Sequence, residues 1–352
     1  MGGLFISPML MQSGDTSSVK VPQNLVNGYP RIATESESGH KLGKIEADRH
    51  KWRDIIGTRI WHRTGSDRVE GGTAVVSRLT GAITRALLVV VVVATPSVLL
   101  SDVTGDAKQM VALVALFAGM LTLAEYNADY PSVIEFRDAP PFNRVRYLML
   151  FATVFGVSII ERGRTDPTSL TEFVHAIGHL IGQAMDFPYS PVRLATLMLT
   201  ENSTDLNHEA VRDAAGVAYF TSLISLTIFV IILKAGAWPM RKSAFNVWIN
   251  LPTFDPMAGG DVVERLERDG RVNIALGFLL PFIIPFFVSL SPAGQNAINL
   301  TSPQNMIWTM TTWSFLPASL FMRGIAMGRI AEMIRDMRLA NGAAANRHLA
   351  AV

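Results

Sequence analysis

Six apolar stretches with almost no charge run through the 352-residue chain, at 86–100, 110–124, 147–160, 216–233, 274–290 and 306–322. A bilayer core of roughly 30 Å asks for about 20 helical residues, so the shorter stretches must draw in their flanks. The pattern specifies an all-α fold: a polytopic integral membrane protein with about six transmembrane helices, plus amphipathic helices at the interfaces. The second and third stretches are the weakest. Their alternative is a short hairpin that does not cross, which leaves the parity unchanged.

Orientation follows from the cations. With 1–85, 125–146, 234–273 and the C-terminus on the cytoplasmic side, only Lys108, Arg162, Arg164, Arg193 and Arg212 of the 31 Lys and Arg lie outside. Basic loops stay in the cytoplasm. Arg162 and Arg164 break the pattern, whereas the neutral loop 291–305 crosses freely. Both termini are therefore expected inside, with a bacterial inner membrane as the simplest location. The chain is expected to run as a flexible tail (1–43), an interfacial segment (44–85), spans one to three (86–160), an extracytoplasmic amphipathic loop (161–215), spans four to six (216–322) with the inner loop 234–273, and a C-terminal helix and tail (323–352).

Hydrophobic residues make up 49% and charged ones 17% of the chain. The basic residues are spread over one membrane face, so nucleic acid is not an expected partner; the bilayer and other membrane proteins are. With no cysteine there is no disulfide, thiolate or Cys-ligated metal. Residues 1–11 lack a charged start and a small-residue cleavage site, so the first span is expected to act as its own insertion signal. In 44–63, Ile45, Trp52, Ile55, Ile56 and Ile60 form an apolar stripe beside Lys44, Arg49, Lys51, Arg53, Arg59 and Arg63. That pattern suits a helix on an anionic leaflet, with Lys44, Arg49, Lys51, Trp52, Arg53 and Arg59 as surface-binding residues, or a small helix packed on the cytoplasmic loops.

None of the six stretches carries a central ionisable residue, which argues against a proton-coupled pump. Prolines 96, 281, 285 and 317 lie in or near them. Pro281, Pro285 and Pro317 read either as a hinge at a pathway or as static kinks that fit neighbouring helices. No internal repeat is visible. Gly259-Gly260 lacks the strand and Lys of a phosphate loop, and 261–268 reads as a short solvated helix.

The most chemical segment is 161–215. Ser169 and Glu172 read as a capping box. Behind it Leu170, Phe173, Val174, Ile177, Leu180, Ile181 and Ala184 share one face, and Glu172, His175, His179 and Gln183 another. His175 and His179 are one turn apart, the spacing for two metal ligands, and an axial tetrapyrrole ligand is a further use of either. Glu172 and a folded-back His208 would extend the set. The set is incomplete: this is not HExxH, and only one Glu-x-x-His of a di-iron pattern is present. Ser203, Thr204 and Asp205 read as the N-cap of the helix that becomes the fourth span. Asp205, Glu209 and Asp213 recur every four residues, with His208 and Arg212 beside them, and acidic residues suit a helix N-terminus.

With no catalytic fingerprint, the expected function is a non-catalytic membrane subunit, or an assembly or accessory factor of a larger inner-membrane complex. The alternatives are a channel or facilitator built on the Pro-kinked fifth and sixth helices, and a metal or tetrapyrrole protein using His175 and His179.

Overall fold

The computed structural model describes residues 66–350, apart from 129–131, 138, 201–202, 236–249, 252–253 and 255–259. The expected surface helix at 44–63, with Lys44, Arg49, Lys51, Trp52, Arg53 and Arg59, lies outside the described residues. The helical bundle is one compact unit, 72–352.

Nine helices are described: α1 Ser66–Leu99, α2 Gly105–Asn127, α3 Pro140–Thr165, α4 Ser169–Met185, α5 Pro191–Thr196, α6 Asp205–Lys234, α7 Val262–Ser289, α8 Pro292–Ile298 and α9 Pro303–Ala350. Their starts follow from capping chemistry. Thr104, Thr168, Ser190, Thr204 and Asp261 sit as N-caps of α2, α4, α5, α6 and α7, each accepting a backbone N–H two or three residues on. These oxygens satisfy first-turn donors that have no partner within the helix.

Five helices contain segments long and apolar enough to cross a membrane: Leu79–Leu99, Gly105–Asn127, Pro141–Thr165, Asp205–Lys234 and Val262–Ser289. The chain is thus a multi-pass α-helical membrane protein. The second and third stretches belong to helices of 23 and 26 residues, long enough to cross rather than to form a shallow hairpin. The third continues past residue 160 to Thr165, which brings Glu161, Arg162 and Arg164 into the helix.

The sixth stretch, 306–322, behaves differently. It lies in the 48-residue α9, which is not among the five apolar spans. The reason is burial. Met306, Ile307, Met310, Thr311, Trp313, Ser314, Ala318, Ser319 and Met322 are all buried inside the bundle. A helix surrounded by protein needs small and hydroxyl residues for close contact more than it needs lipid-like side chains. Helix α9 also runs through Gly342 to Ala350 rather than ending at the glycine.

Helices α7 and α9 touch backbone to backbone. A Cβ on Gly324 would lie 2.5 Å from the Gly270 carbonyl oxygen, and one on Gly277 2.7 Å from the Pro317 carbonyl oxygen. That contact explains why 261–268 is not a separate short helix: α7 runs unbroken from Val262, because Gly270 packs on α9 instead of ending a helix. Pro281 and Pro285 are buried within α7. Pro285 has no N–H, so the Pro281 carbonyl loses its helical donor. The Trp313 indole N–H supplies the replacement at 3.1 Å. The double proline is thereby tied to α9.

Two apolar cores close the ends of the bundle. One gathers Leu100, Val157, Val192, Met198, Ala214, Leu300 and Trp313, and the other Phe136, Phe142, Phe229, Leu251, Leu266 and Met322.

Candidate functional site

Helix α4 lies at the first of these ends and presents three different surfaces. Thr171, Gly178 and Gly182 are buried against the bundle. Leu170, Phe173, Ile177 and Leu180 are exposed on the apolar side. Glu172, His175, His179 and Gln183 occupy the third. The N-cap is Thr168 rather than Ser169. The Thr168 hydroxyl accepts the Thr171 N–H at 3.3 Å, and the Thr171 hydroxyl accepts the Thr168 N–H at 2.8 Å. Thr168 is extended (φ −132°, ψ 159°) and the helix starts one residue earlier than expected, so Thr171 takes the place read for Glu172. Glu172 is left exposed in the first turn.

The glycines decide what the polar stripe meets. A Cβ on Gly216 of α6 would lie 2.6 Å from the Gly182 Cα, and one on Gly178 2.7 Å from Ile160 Cδ1 of α3. Helices α4 and α6 therefore cross in direct backbone contact, which sets His179 against Asp213. His179 Nδ1 lies 3.1 Å from Asp213 Oδ2 and 3.1 Å from Glu209 Oε1. Asp213 is fully buried. Gln183 Nε2 lies 2.8 Å from His179 Nε2. Arg212 closes the cluster: its Nη2 is 3.3 Å from His179 Nδ1 and 3.7 Å from Glu209, and its Nε donates to Asp213 at 3.4 Å.

Two carboxylates converge on one imidazole nitrogen. A proton on Nδ1 points between them, and a divalent ion in its place would gain one nitrogen and two oxygen ligands, a set suited to zinc or another first-row metal. The ligand atoms of His179, Glu209 and Asp213 lie within 4.8 Å of one another. Arg212 is the competitor, since its guanidinium neutralises the same oxygens. Beside the cluster opens a pocket of about 450 Å³ whose lining includes His179, Gln183, Asp186, Asp205, His208 and Arg212.

Of the four residues read as ligands, the structure brings His179 and His208 to one pocket and leaves the other two out. The His175 ring stacks 6.3 Å from that of His179 but has no place in the carboxylate cluster. The acidic residues of α6, read as dipole partners, include the two that matter: Glu209 and Asp213 face His179. Gly178 and Gly182, four apart, and Gly216 were the signal for that close crossing. Pro281 and Pro285 belong to the interface with α9, and Pro317 contributes its carbonyl to the Gly277 contact. No protein family, curated protein or solved structure matches this chain.

Proposed function

We propose that the chain is a non-catalytic membrane subunit, an assembly or accessory component of a larger complex, with both termini on the cytoplasmic side of a bacterial inner membrane. The observation that carries this reading is α2. Only Ala115, Gly119 and Glu125 of its 23 residues are buried, while Met110, Leu113, Leu116, Phe117 and Met120 stand exposed. Lipid covers such side chains as well as a partner does; what favours a partner is how few residues of this helix are held by the chain's own bundle. The apolar side of α4 adds a second contact surface at the membrane boundary. A channel finds less support, because the buried hydroxyls of Ser158, Ser222 and Ser314 bond to carbonyls of their own helices.

The test is the native mass of the protein extracted from its own membrane in mild detergent. Co-migration with other subunits supports the proposal, and a bare monomer or homo-oligomer sinks it. The orientation has its own test. The chain has no cysteine, so a single Cys introduced at Ser203 reports by itself. A membrane-impermeant maleimide should label it from the periplasm in spheroplasts.

A second reading rests on the convergence of His179, Glu209 and Asp213: a metal ion bound at the extracytoplasmic surface. Protein purified without chelator and analysed for zinc, manganese and iron should carry about one equivalent. Asp213→Asn should remove it, and metal-free wild type would end this reading.

A further inference from the structure

Among the described residues, two buried side-chain polar atoms have no hydrogen-bond partner, Glu161 Oε1 and Thr311 Oγ1. The hydroxyl rotates and is neutral. The carboxylate is the harder case, because a buried charge needs partners for both oxygens. Glu161 is 1% exposed. Its Oε2 meets Arg164 at 3.3 Å, one turn along α3, and its other oxygen is left over.

Glu161 lines a cavity of about 210 Å³ where four helix ends meet: the end of α1, the start of α2, the last turn of α3 and the start of α9. The polar lining includes Asp102, Ser101, Thr104, Thr165 and Gln304. Ser101 and Thr165 place their hydroxyl oxygens 3.3 Å apart. The Gln304 amide donates to Ser97 at 3.5 Å, which leaves its carbonyl oxygen for a ligand. Imidazole and sulfur are missing from this lining, so the donors are oxygens. Two carboxylates line the cavity, Glu161 buried and Asp102 exposed at its mouth, and the volume holds several waters. Water alone would satisfy geometry and leave a net negative charge in a partly dry site.

We propose that this cavity binds a hard divalent cation of the Ca²⁺ or Mg²⁺ class, with Glu161 Oε1 as its buried ligand and Asp102 as the second carboxylate. Carboxylate, hydroxyl and carbonyl oxygens with retained water are the ligands such ions take. The ion neutralises the excess charge and ties the α1–α2 hairpin to α3 and α9. The site is separate from the His179 cluster and independent of the subunit proposal.

The experiment uses the full chain in lipid nanodiscs, stripped with chelator. Unfolding temperature is followed against CaCl₂ and against MgCl₂, with NaCl at matched ionic strength, and bound cation is counted by equilibrium dialysis. For wild type, one of the divalent salts should raise the unfolding temperature beyond NaCl, with about one ion bound. Glu161→Gln should abolish both responses, whatever its own unfolding temperature. Asp102→Asn should move the midpoint to on the order of tenfold higher cation, because affinity follows the count of charged ligands. Glu332→Gln, in an exposed ion pair far along α9 from both sites, should leave the response unchanged. A wild type that responds no more to divalent salts than to NaCl overturns the proposal, as does Glu161→Gln with its response intact. If Glu161→Gln does not fold, Asp102→Asn decides, and an unshifted midpoint overturns it.

Discussion

The two ends of the bundle treat charge in opposite ways. At the end where α7 begins, Glu125, Glu135 and Arg323 have close polar partners, and the Arg146 guanidinium rests on the Ser319 hydroxyl and the Phe142 and Phe315 rings. Arg323 donates to both oxygens of Glu135, at 2.7 and 2.9 Å, and to Asn273 at 3.0 Å. Glu125 receives the Ser132 N–H and hydroxyl and the Val133 N–H at 2.9, 2.6 and 2.9 Å. At the α4 end, His179 and its carboxylates border an open pocket, and Glu161 keeps an oxygen with no donor. A network in which every member is satisfied holds helices in register and has nothing left to offer a ligand. An unsatisfied one is where binding free energy is available. By this contrast, the α4 end is where a bound ligand would gain the most interaction.

The sharpest way to break the comparison is at the α4–α6 crossing. Gly216→Leu puts a side chain where a Cβ alone would meet Gly182 at 2.6 Å. The expected loss is about 3 kcal/mol or more, or failure to fold, read by thermal unfolding in nanodiscs. Next comes a paired test of sign. Glu135→Gln should destabilise by about 2–4 kcal/mol, because it takes the negative charge from the bidentate partner of a guanidinium whose side chain is three-quarters buried. Glu161→Gln in chelator should cost far less or stabilise, because it removes a half-partnered charge. Equal losses at the two sites would refute the contrast.

In the core at the α4 end, Trp313→Phe keeps an aromatic ring and deletes the N–H that serves the Pro281 carbonyl, together with part of the buried ring. A loss of about 1–3 kcal/mol is expected, whereas an unchanged unfolding temperature would show the carbonyl satisfied by other means. The smallest effect lies at the tip of the end where α7 begins. The Val263 N–H and then Arg338 hold the Asp261 carboxyl below its usual range. A lowered folded pKa contributes stability above the ordinary carboxylate pKa and loses it as pH falls through the lowered value. Asp261→Asn should therefore lower the unfolding temperature slightly at pH 7, and the difference from wild type should fade as pH drops below the ordinary carboxylate range.

Much of the fold was legible along the chain. The helices carrying the first five apolar stretches and the start of α6 within Ser203-Thr204-Asp205 follow from hydropathy and capping residues, and the structure picks Thr204 as the cap. What misled was local competition. Thr168 and Ser169 are both plausible caps, and one residue of helix moved Glu172 out of its expected role. A basic pair read as loop, Arg162 and Arg164, belongs to the last turn of α3, where cations suit the helix dipole. The acidic run Asp205, Glu209 and Asp213 had a sufficient explanation as a helix N-terminus, which hid its second use opposite His179. Glu161 gave no signal at all, because a glutamate one residue past an apolar stretch looks like the edge of a loop.

The sequence by itself determined the class of this protein: a helical chain in a membrane, threaded through apolar segments. Hydropathy, charge bias and caps are properties of neighbouring residues, and solvent reads them one helix at a time. The tertiary structure alone decided which polar groups meet. Helix rotation and crossing depth depend on the volume between backbones, and at Gly182 and Gly216 that volume is close to zero. The same contact geometry places α9 inside protein instead of lipid, donates Trp313 to a carbonyl bared by Pro285, and leaves Glu161 facing a cavity formed by four helix ends.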